Sequence, residues 1–237
     1  MNNWKNIWDK REDNLAEIDL GDTNAVFSEL KRVDGFDLEG GIPIESLLTQ
    51  FNNTMRELEL KKGDSVFEVG AGSGANLFLF AKQGLSVGGL DYSEKLLAIL
   101  RRVVPSENLL ECIHAEAKDL PTDKKYDAVF SNGVFVYFSD LSYAKTVMEK
   151  MLAKSKGNIG VLDVYDEAKK DECMAHRKAT IPDYEERYKD LPKLFYPREF
   201  FEGFAREHDL DVKFCENELT VYGNAPFMYH CYMRRKS

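Results

Sequence analysis

The chain has 237 residues, 43% of them hydrophobic, and a formal net charge of -9, enough for one sizeable core with a small elaboration. So acidic a surface repels a phosphate backbone, and the two basic clusters, Arg101-Arg102 and Arg234-Arg235-Lys236, are too short to reverse it, so no nucleic-acid partner is expected. No apolar run approaches the roughly 20 residues of a membrane span, and the start, Met-Asn-Asn-Trp-Lys-Asn, holds no apolar leader.

In chain order, Trp4 to about Asn14 reads as a helix with Trp4 and Trp8 on one face. A polar, glycine-containing stretch from Asp19 to Gly41 reads as a surface wrap. Pro43 opens a helix in which Ile44, Leu47, Leu48, Phe51, Met55 and Leu58 recur at helical spacing. From Asp64 the period changes, and short apolar runs alternate with helices. Strands are expected at 65–69, 86–90, 109–114, 126–131 and 158–164, with helices at 75–83, 93–104 and 141–152. This alternation argues a parallel sheet covered on both faces. Residues 165–196, rich in charge and tyrosine, break the pattern as a helical insert. Pro197 starts a helix to His208, and two strands near 211–218 and 227–234 close the chain as an antiparallel pair around the Gly223-Asn224 turn. The four cysteines show no C-x-x-C pair and read as reduced thiols, three of them inside apolar runs.

Val66-Phe67-Glu68-Val69 followed by Gly70-Ala71-Gly72-Ser73-Gly74 is a buried strand turning into a helix. Glycines serve there because the backbone must turn sharply and let a ligand lie against it. The loop also fits G-x-G-x-x-[GA], so a nicotinamide dinucleotide stays open as its ligand. Two features tilt against that. Glu68, two residues before the first glycine, suits a cationic amine and would repel a pyrophosphate, and no second mononucleotide half follows.

Glu68-Val69-Gly70-Ala71-Gly72-Ser73-Gly74 resembles motif I of the class I S-adenosylmethionine-dependent methyltransferases. Gly88-Gly89-Leu90-Asp91-Tyr92-Ser93 resembles their motif II, Ala115-Glu116-Ala117-Lys118-Asp119-Leu120-Pro121 their third motif, and Tyr126 to Val134 their motif IV, all in the family's order. The third motif departs from the pattern, with Ala115 for Gly and Glu116 for Asp. The resemblance covers residues 65 to about 165. It implies a Rossmann-like, seven-stranded, mostly parallel sheet with helices on both faces. Residues 1–62 would form an N-terminal helical lid, and 63–237 a methyltransferase domain carrying the 165–196 insert over the acceptor.

The implied cofactor is S-adenosyl-L-methionine, leaving S-adenosyl-L-homocysteine. Asp91 would bind the ribose hydroxyls and Tyr92 cover the adenine, as a carboxylate and an aromatic face suit a diol and a purine. Glu116 and Ala117 would meet the adenine amine. Glu68, Gly70, Ala71, Gly72, Ser131 and Asn132 would line the methionine side, Trp4 and Trp8 would form a lid over the cofactor, and Arg11 would reach the methionine carboxylate. The Asn/Asp-Pro-Pro-aromatic loop of nucleobase amino methyltransferases is missing, as is a Pro-Cys nucleophile. A small-molecule acceptor is therefore expected, methylated on oxygen or nitrogen, by a cytoplasmic enzyme acting as monomer or homodimer. Tyr137, Asp163 and His176 are the candidates for acceptor chemistry; His208 and His230 read as peripheral. A non-catalytic protein that keeps the cofactor pocket is the remaining alternative.

Overall fold

A computed structural model describes residues 4–36, 42–219 and 221–236. Strands β1 (Ser65–Val69), β2 (Ser86–Asp91), β3 (Leu109–His114), β4 (Tyr126–Asn132) and β5 (Ser155–Asp166) alternate with helices α4 (Ala75–Lys82), α5 (Glu94–Val103) and α6 (Leu141–Lys154). They follow α1 (Trp4–Trp8), α2 (Thr23–Val33) and α3 (Ile44–Glu57). Beyond β5 come α7 (Lys170–Thr180), α8 (Tyr184–Arg187), β6 (Phe195–Tyr196), α9 (Arg198–Glu207), β7 (Leu210–Glu216) and β8 (Met228–Arg235).

The sheet order is β3-β2-β1-β4-β5-β8-β7, with β6 paired to the end of β5. Every pairing is parallel except those of β8, which runs against both β5 and β7. The chain winds outward from β1 to β3 and then returns to lay β4 on the other side of β1. That reversal opens a crevice beyond the carboxyl ends of β1 and β4, where open α/β sheets bind ligands.

Side chains alternate across the sheet, so each strand feeds two cores. Val66, Val87, Ala128 and Phe130 pack with residues of α2, α3, α4 and α5. Phe67, Val129, Ile159 and Val161 pack on the other face with α6 and α9.

Three expected elements differ. The first helix ends at Trp8 because tertiary contacts take the next residues: Asp9 accepts from the Ser93 hydroxyl at 2.7 Å and Asp13 pairs with Arg102 at 3.0 Å. The supposed surface wrap contains α2, which buries Val26, Phe27, Leu30 and Val33 and is capped by the Asp22 carboxylate; residues 37–41 of that stretch lie outside the described residues. Those four apolar positions follow an i, i+1, i+4, i+7 pattern that the flanking glycines and charges obscure. The insert is not wholly helical, since Phe195 and Tyr196 pair with Tyr165 and Asp166. Buried aromatic rings make that short strand worthwhile: Tyr165 and Phe195 lie 5.0 Å apart.

Candidate functional site

The glycine loop runs along the crevice. Gly70, Gly72 and Gly74 all have positive φ, at 77°, 54° and 86°, a region that side-chain-bearing residues avoid. Space forbids a side chain as well. A Cβ on Gly70 would strike the Val134 methyls, and one on Gly72 would lie 2.5 Å from Asp34 Oδ1. The loop is held to β2 by the Gly70 and Ala71 N–H groups, both donating to the Leu90 carbonyl at 2.7 and 2.9 Å.

Asp91 ends β2 and is only 6% exposed. Its Oδ2 accepts from Gly72 N–H at 2.9 Å and its Oδ1 from Ser93 N–H at 2.8 Å. Each oxygen keeps a lone pair for a ligand hydroxyl. Burial raises its pKa, opposed by those backbone donors. Glu68, 2% exposed on β1, accepts from Asn76 Nδ2 at 2.7 Å through Oε1. Its Oε2 is buried with no hydrogen-bond partner among the described residues. Burial pushes its pKa up to about 8.

Asp34, at the end of α2, accepts from Ser73 N–H at 2.8 Å, and burial pushes it up to about 6. Nothing in its sequence context marked it out; only the folding of α2 onto the loop brings it there. Three carboxylates thus surround one loop, and the cation acting on both Glu68 and Asp34 is the buried Lys31. Its ammonium donates to Asn76 Oδ1 at 3.2 Å. A ligand ammonium would favour the ionised form of these carboxyls, whereas a pyrophosphate would disfavour it.

The other expected cofactor contacts differ in placement. Tyr92 is half-buried, and burial raises its phenol pKa. Ala117 is buried and Glu116 exposed, just past β3. The Ser131 hydroxyl is taken by the Val69 carbonyl at 2.7 Å, fastening β4 to β1. Asn132 Oδ1 is buried without a described partner, in a small gap lined by Gln50, Thr54 and Asn76 together with Phe51, Phe80 and Phe130. Trp8 and Trp4 both meet Tyr137 edge-on, at 5.7 and 4.6 Å between ring centroids.

Asp163, near the carboxyl end of β5, is buried and holds the left-handed backbone at φ 56°. Its Oδ1 accepts from Gln50 Nε2 at 3.0 Å and Asn217 Nδ2 at 2.6 Å, and its Oδ2 has no described partner. Its backbone N–H donates to His230 Nδ1 at 3.1 Å. That fixes the His230 proton on Nε2, which donates to Glu218 at 2.9 Å. Burial opposes the charged imidazole, but the Glu218 and Asp163 carboxylates raise its pKa overall. His230 is therefore not peripheral: it is fully buried and helps seat Asp163. Its position in an alternating strand gave no sign of that partnership.

Tyr137 sits in the turn Phe135–Tyr137, next to the Val134 that covers Gly70. The His176 ring lies 5.4 Å from that of Phe227. Its neighbour Arg177 instead turns inward, donating to the Tyr165 hydroxyl at 3.2 Å and to Asn224 Oδ1 at 2.9 Å.

Known proteins resemble this chain in part of its sequence and in its fold. The methyltransferase domain family matches residues 67–157. A demethylmenaquinone methyltransferase of Clavibacter sepedonicus is 34% identical over 77 residues, which are 32% of this chain and 31% of that one. The chain thus matches about a third of the length of this curated relative. Among solved structures, a magnesium protoporphyrin IX methyltransferase of Synechocystis with bound S-adenosylhomocysteine aligns at TM-score 0.66 and 14% identity, over 90% of this chain and 95% of that one. A geranyl diphosphate C-methyltransferase of Streptomyces coelicolor aligns at TM-score 0.55 and 13% identity, over 79% and 76%. At such identities the alignments speak for the fold.

Proposed function

Since the chain belongs to the class I S-adenosylmethionine-dependent methyltransferases, with the methyltransferase domain over residues 67–157, we propose that it transfers a methyl group to an oxygen or nitrogen of a small-molecule acceptor. The cofactor that this domain implies is S-adenosyl-L-methionine, with S-adenosyl-L-homocysteine as product. The carrying observation is the acidic cradle. Glu68 offers a buried oxygen with no described partner, and Asp91 offers two oxygens already oriented by backbone N–H groups. A ligand with an ammonium at one end and a ribose diol at the other satisfies both.

When bound, the cofactor supplies a methyl group already activated by its sulfonium, so the hard chemistry is not the protein's. The chain's residues bind, align and exclude water. Gly70, Ala71 and Gly72 let the backbone approach, and Glu68 takes the ammonium. Asp91 holds the ribose and Tyr92 covers the adenine, whose amine meets Glu116 and the Ala117 backbone. Ser131 fixes the strand end beneath the methionine portion while Asn132 lines it. Trp8 closes the site from above as part of a lid formed by residues 1–62.

Tyr137 and Asp163 face the acceptor side. Asp163 is held by Gln50, Asn217 and His230, which suits a carboxylate that orients an acceptor or takes its proton. His176 has no described carboxylate to tune it; a role for it as base predicts a pH-rate profile that changes in His176→Ala.

Titration calorimetry with S-adenosylmethionine and S-adenosylhomocysteine tests the reading. A charge-assisted hydrogen bond contributes about 1.5–3 kcal/mol, so the loss of even one in Asp91→Ala should weaken both ligands by roughly 10-fold or more. Unchanged affinity overturns the assignment.

A further inference from the structure

Past the carboxyl end of β5, α7, α8 and the segment leading into β6 flank a cavity of about 410 Å³, a volume typical of small-molecule sites. Five basic side chains and one carboxylate line it, in a chain whose net charge is -9. The carboxylate, Glu185, is already paired with Lys178 at 2.7 Å at the exposed rim. Aromatic rings, among them Tyr165, Tyr184 and Tyr188, make up much of the remaining wall.

Two of the cations stand out. Arg177 is 5% exposed, and its described acceptors are all neutral. Nε donates to the Tyr184 hydroxyl at 3.3 Å, and Nη1 to the Tyr165 hydroxyl and Asn224 Oδ1. A guanidinium has five N–H donors, which leaves the two of Nη2 without an acceptor among the described residues. The plane itself stacks 5.2 Å from the Tyr184 ring and 5.1 Å from the Tyr188 ring. Lys193 is half-buried, its ammonium 3.8 Å over the Tyr137 ring and 4.4 Å over the Trp4 ring. No carboxylate among the described residues pairs with either cation. Burial and the Arg177 charge together drive the Lys193 pKa well down. The described partners of both groups are hydroxyls, an amide and aromatic rings, so a carboxylate in the cavity would favour the charged form of each.

The cavity also adjoins the glycine-loop crevice. The Leu194 N–H donates to the Val136 carbonyl at 2.9 Å, in the same turn that carries Tyr137 and that lies against Gly70 through Val134. One turn therefore separates the two volumes.

We propose that this cavity is the acceptor site and that the acceptor is an aromatic carboxylic acid, its carboxylate held by Arg177 and Lys193 and its ring among Tyr165, Tyr184 and Tyr188. The proposal rests on the methyl-transfer reading for the word acceptor, but not for the anion site. The carboxylate is the anchor: pairing with two cations draws electron density from its oxygens, so the methylated atom is a hydroxyl or amine elsewhere on the ring.

Calorimetry on the full chain tests it, with 4-hydroxybenzoate and 6-hydroxy-2-naphthoate against their neutral carboxamides, in the presence of S-adenosylhomocysteine. At least one acid should bind roughly tenfold tighter than its amide, a difference of about 1.4 kcal/mol. Arg177→Gln and Lys193→Met should each cut the acid affinity more than the amide affinity, so that the preference for the acid falls. Arg177→Lys should restore part of it and guards against a variant that merely misfolds. Equal binding of acid and amide, equal loss of both in the variants, or no binding by either acid overturns the proposal. Tighter binding of phenyl phosphate than of both acids overturns it in favour of a phosphate ester. Acid selectivity without S-adenosylhomocysteine affinity would sink the methyl-transfer reading while leaving the anion site standing.

Discussion

Glu68 shows how one residue makes the donor crevice sensitive to charge. Its carboxyl is pushed from an ordinary 4.5 to about 8 by burial, so at pH 7 the ligand-free protein holds its proton. A ligand ammonium beside Oε2 reverses that preference, because an opposite charge favours the ionised form. Binding of S-adenosylhomocysteine at pH 7 should therefore release about one proton, measured as a dependence of the calorimetric heat on the ionisation enthalpy of the buffer. Glu68→Gln should abolish the release. Stability without ligand carries the same signature. A carboxyl whose folded pKa is raised contributes stability that is fully present below about pH 4.5 and is lost as pH rises through about 8. Thermal melts of the Glu68→Gln variant should therefore gain on the wild type as pH rises across that window. A constant difference would mean that Glu68 is ionised throughout.

At the scale of elements, α2 ties the N-terminal segment to the glycine loop. Phe27 is fully buried in the core beneath it, while the Leu30 carbonyl accepts from Ser73 Oγ at 3.1 Å and Asp34 from Ser73 N–H. Phe27→Ala should cost about 3–5 kcal/mol in chemical denaturation and weaken cofactor binding as well, since the cap on Ser73 loosens with the helix. Loss of stability with cofactor affinity intact would make α2 scaffold only. This element also marks where the sequence was hard to read. From Asp64 to about Leu152 the strands and helices lie within a residue or two of their expected bounds, because each apolar run is bracketed by glycine, proline or a capping residue such as Ser93. Asp91 and Glu68 were legible for the same reason, each at the end of a strand whose period is plain. Asp34, Lys31 and Gln50 were not, because they reach the site only through helices that dock from elsewhere in the chain. The Asp163–His230 contact was hidden because it joins residues 67 apart across an antiparallel pair, a distance that no local pattern records.

Over the whole molecule, the N-terminal segment spans both volumes. Asp9 reaches Ser93 just past Asp91, Asp34 meets the loop, and Trp4 and Trp8 cover Tyr137, over which Lys193 of the cavity flanked by α7 and α8 also lies. Residues 4–14 are held by the buried Trp4, by hydrogen bonds from the Asn14 N–H to Glu29 at 2.6 Å and from Arg32 to the Glu12 carbonyl at 2.8 Å, and by the ion pairs of Arg102 with Asp13 at 3.0 Å and Lys95 with Glu12 at 3.4 Å, of which the exposed Lys95–Glu12 pair contributes little. Local opening of this segment would let a cofactor enter and leave. Ligand in the crevice should then hold the segment shut, since anything that binds only the closed form shifts the equilibrium toward it. Hydrogen exchange of the amides in 4–34 should slow on adding S-adenosylhomocysteine, whereas that of β1 and β4, buried at the centre of the sheet, should barely change. Trp8→Ala should leave the exchange of free protein nearly as it is in 23–34 but reduce the slowing, because it removes the edge-on contact with Tyr137 and leaves α2 docked. Equal exchange with and without ligand would show that residues 4–34 are fixed scaffold and that the cofactor enters by another route.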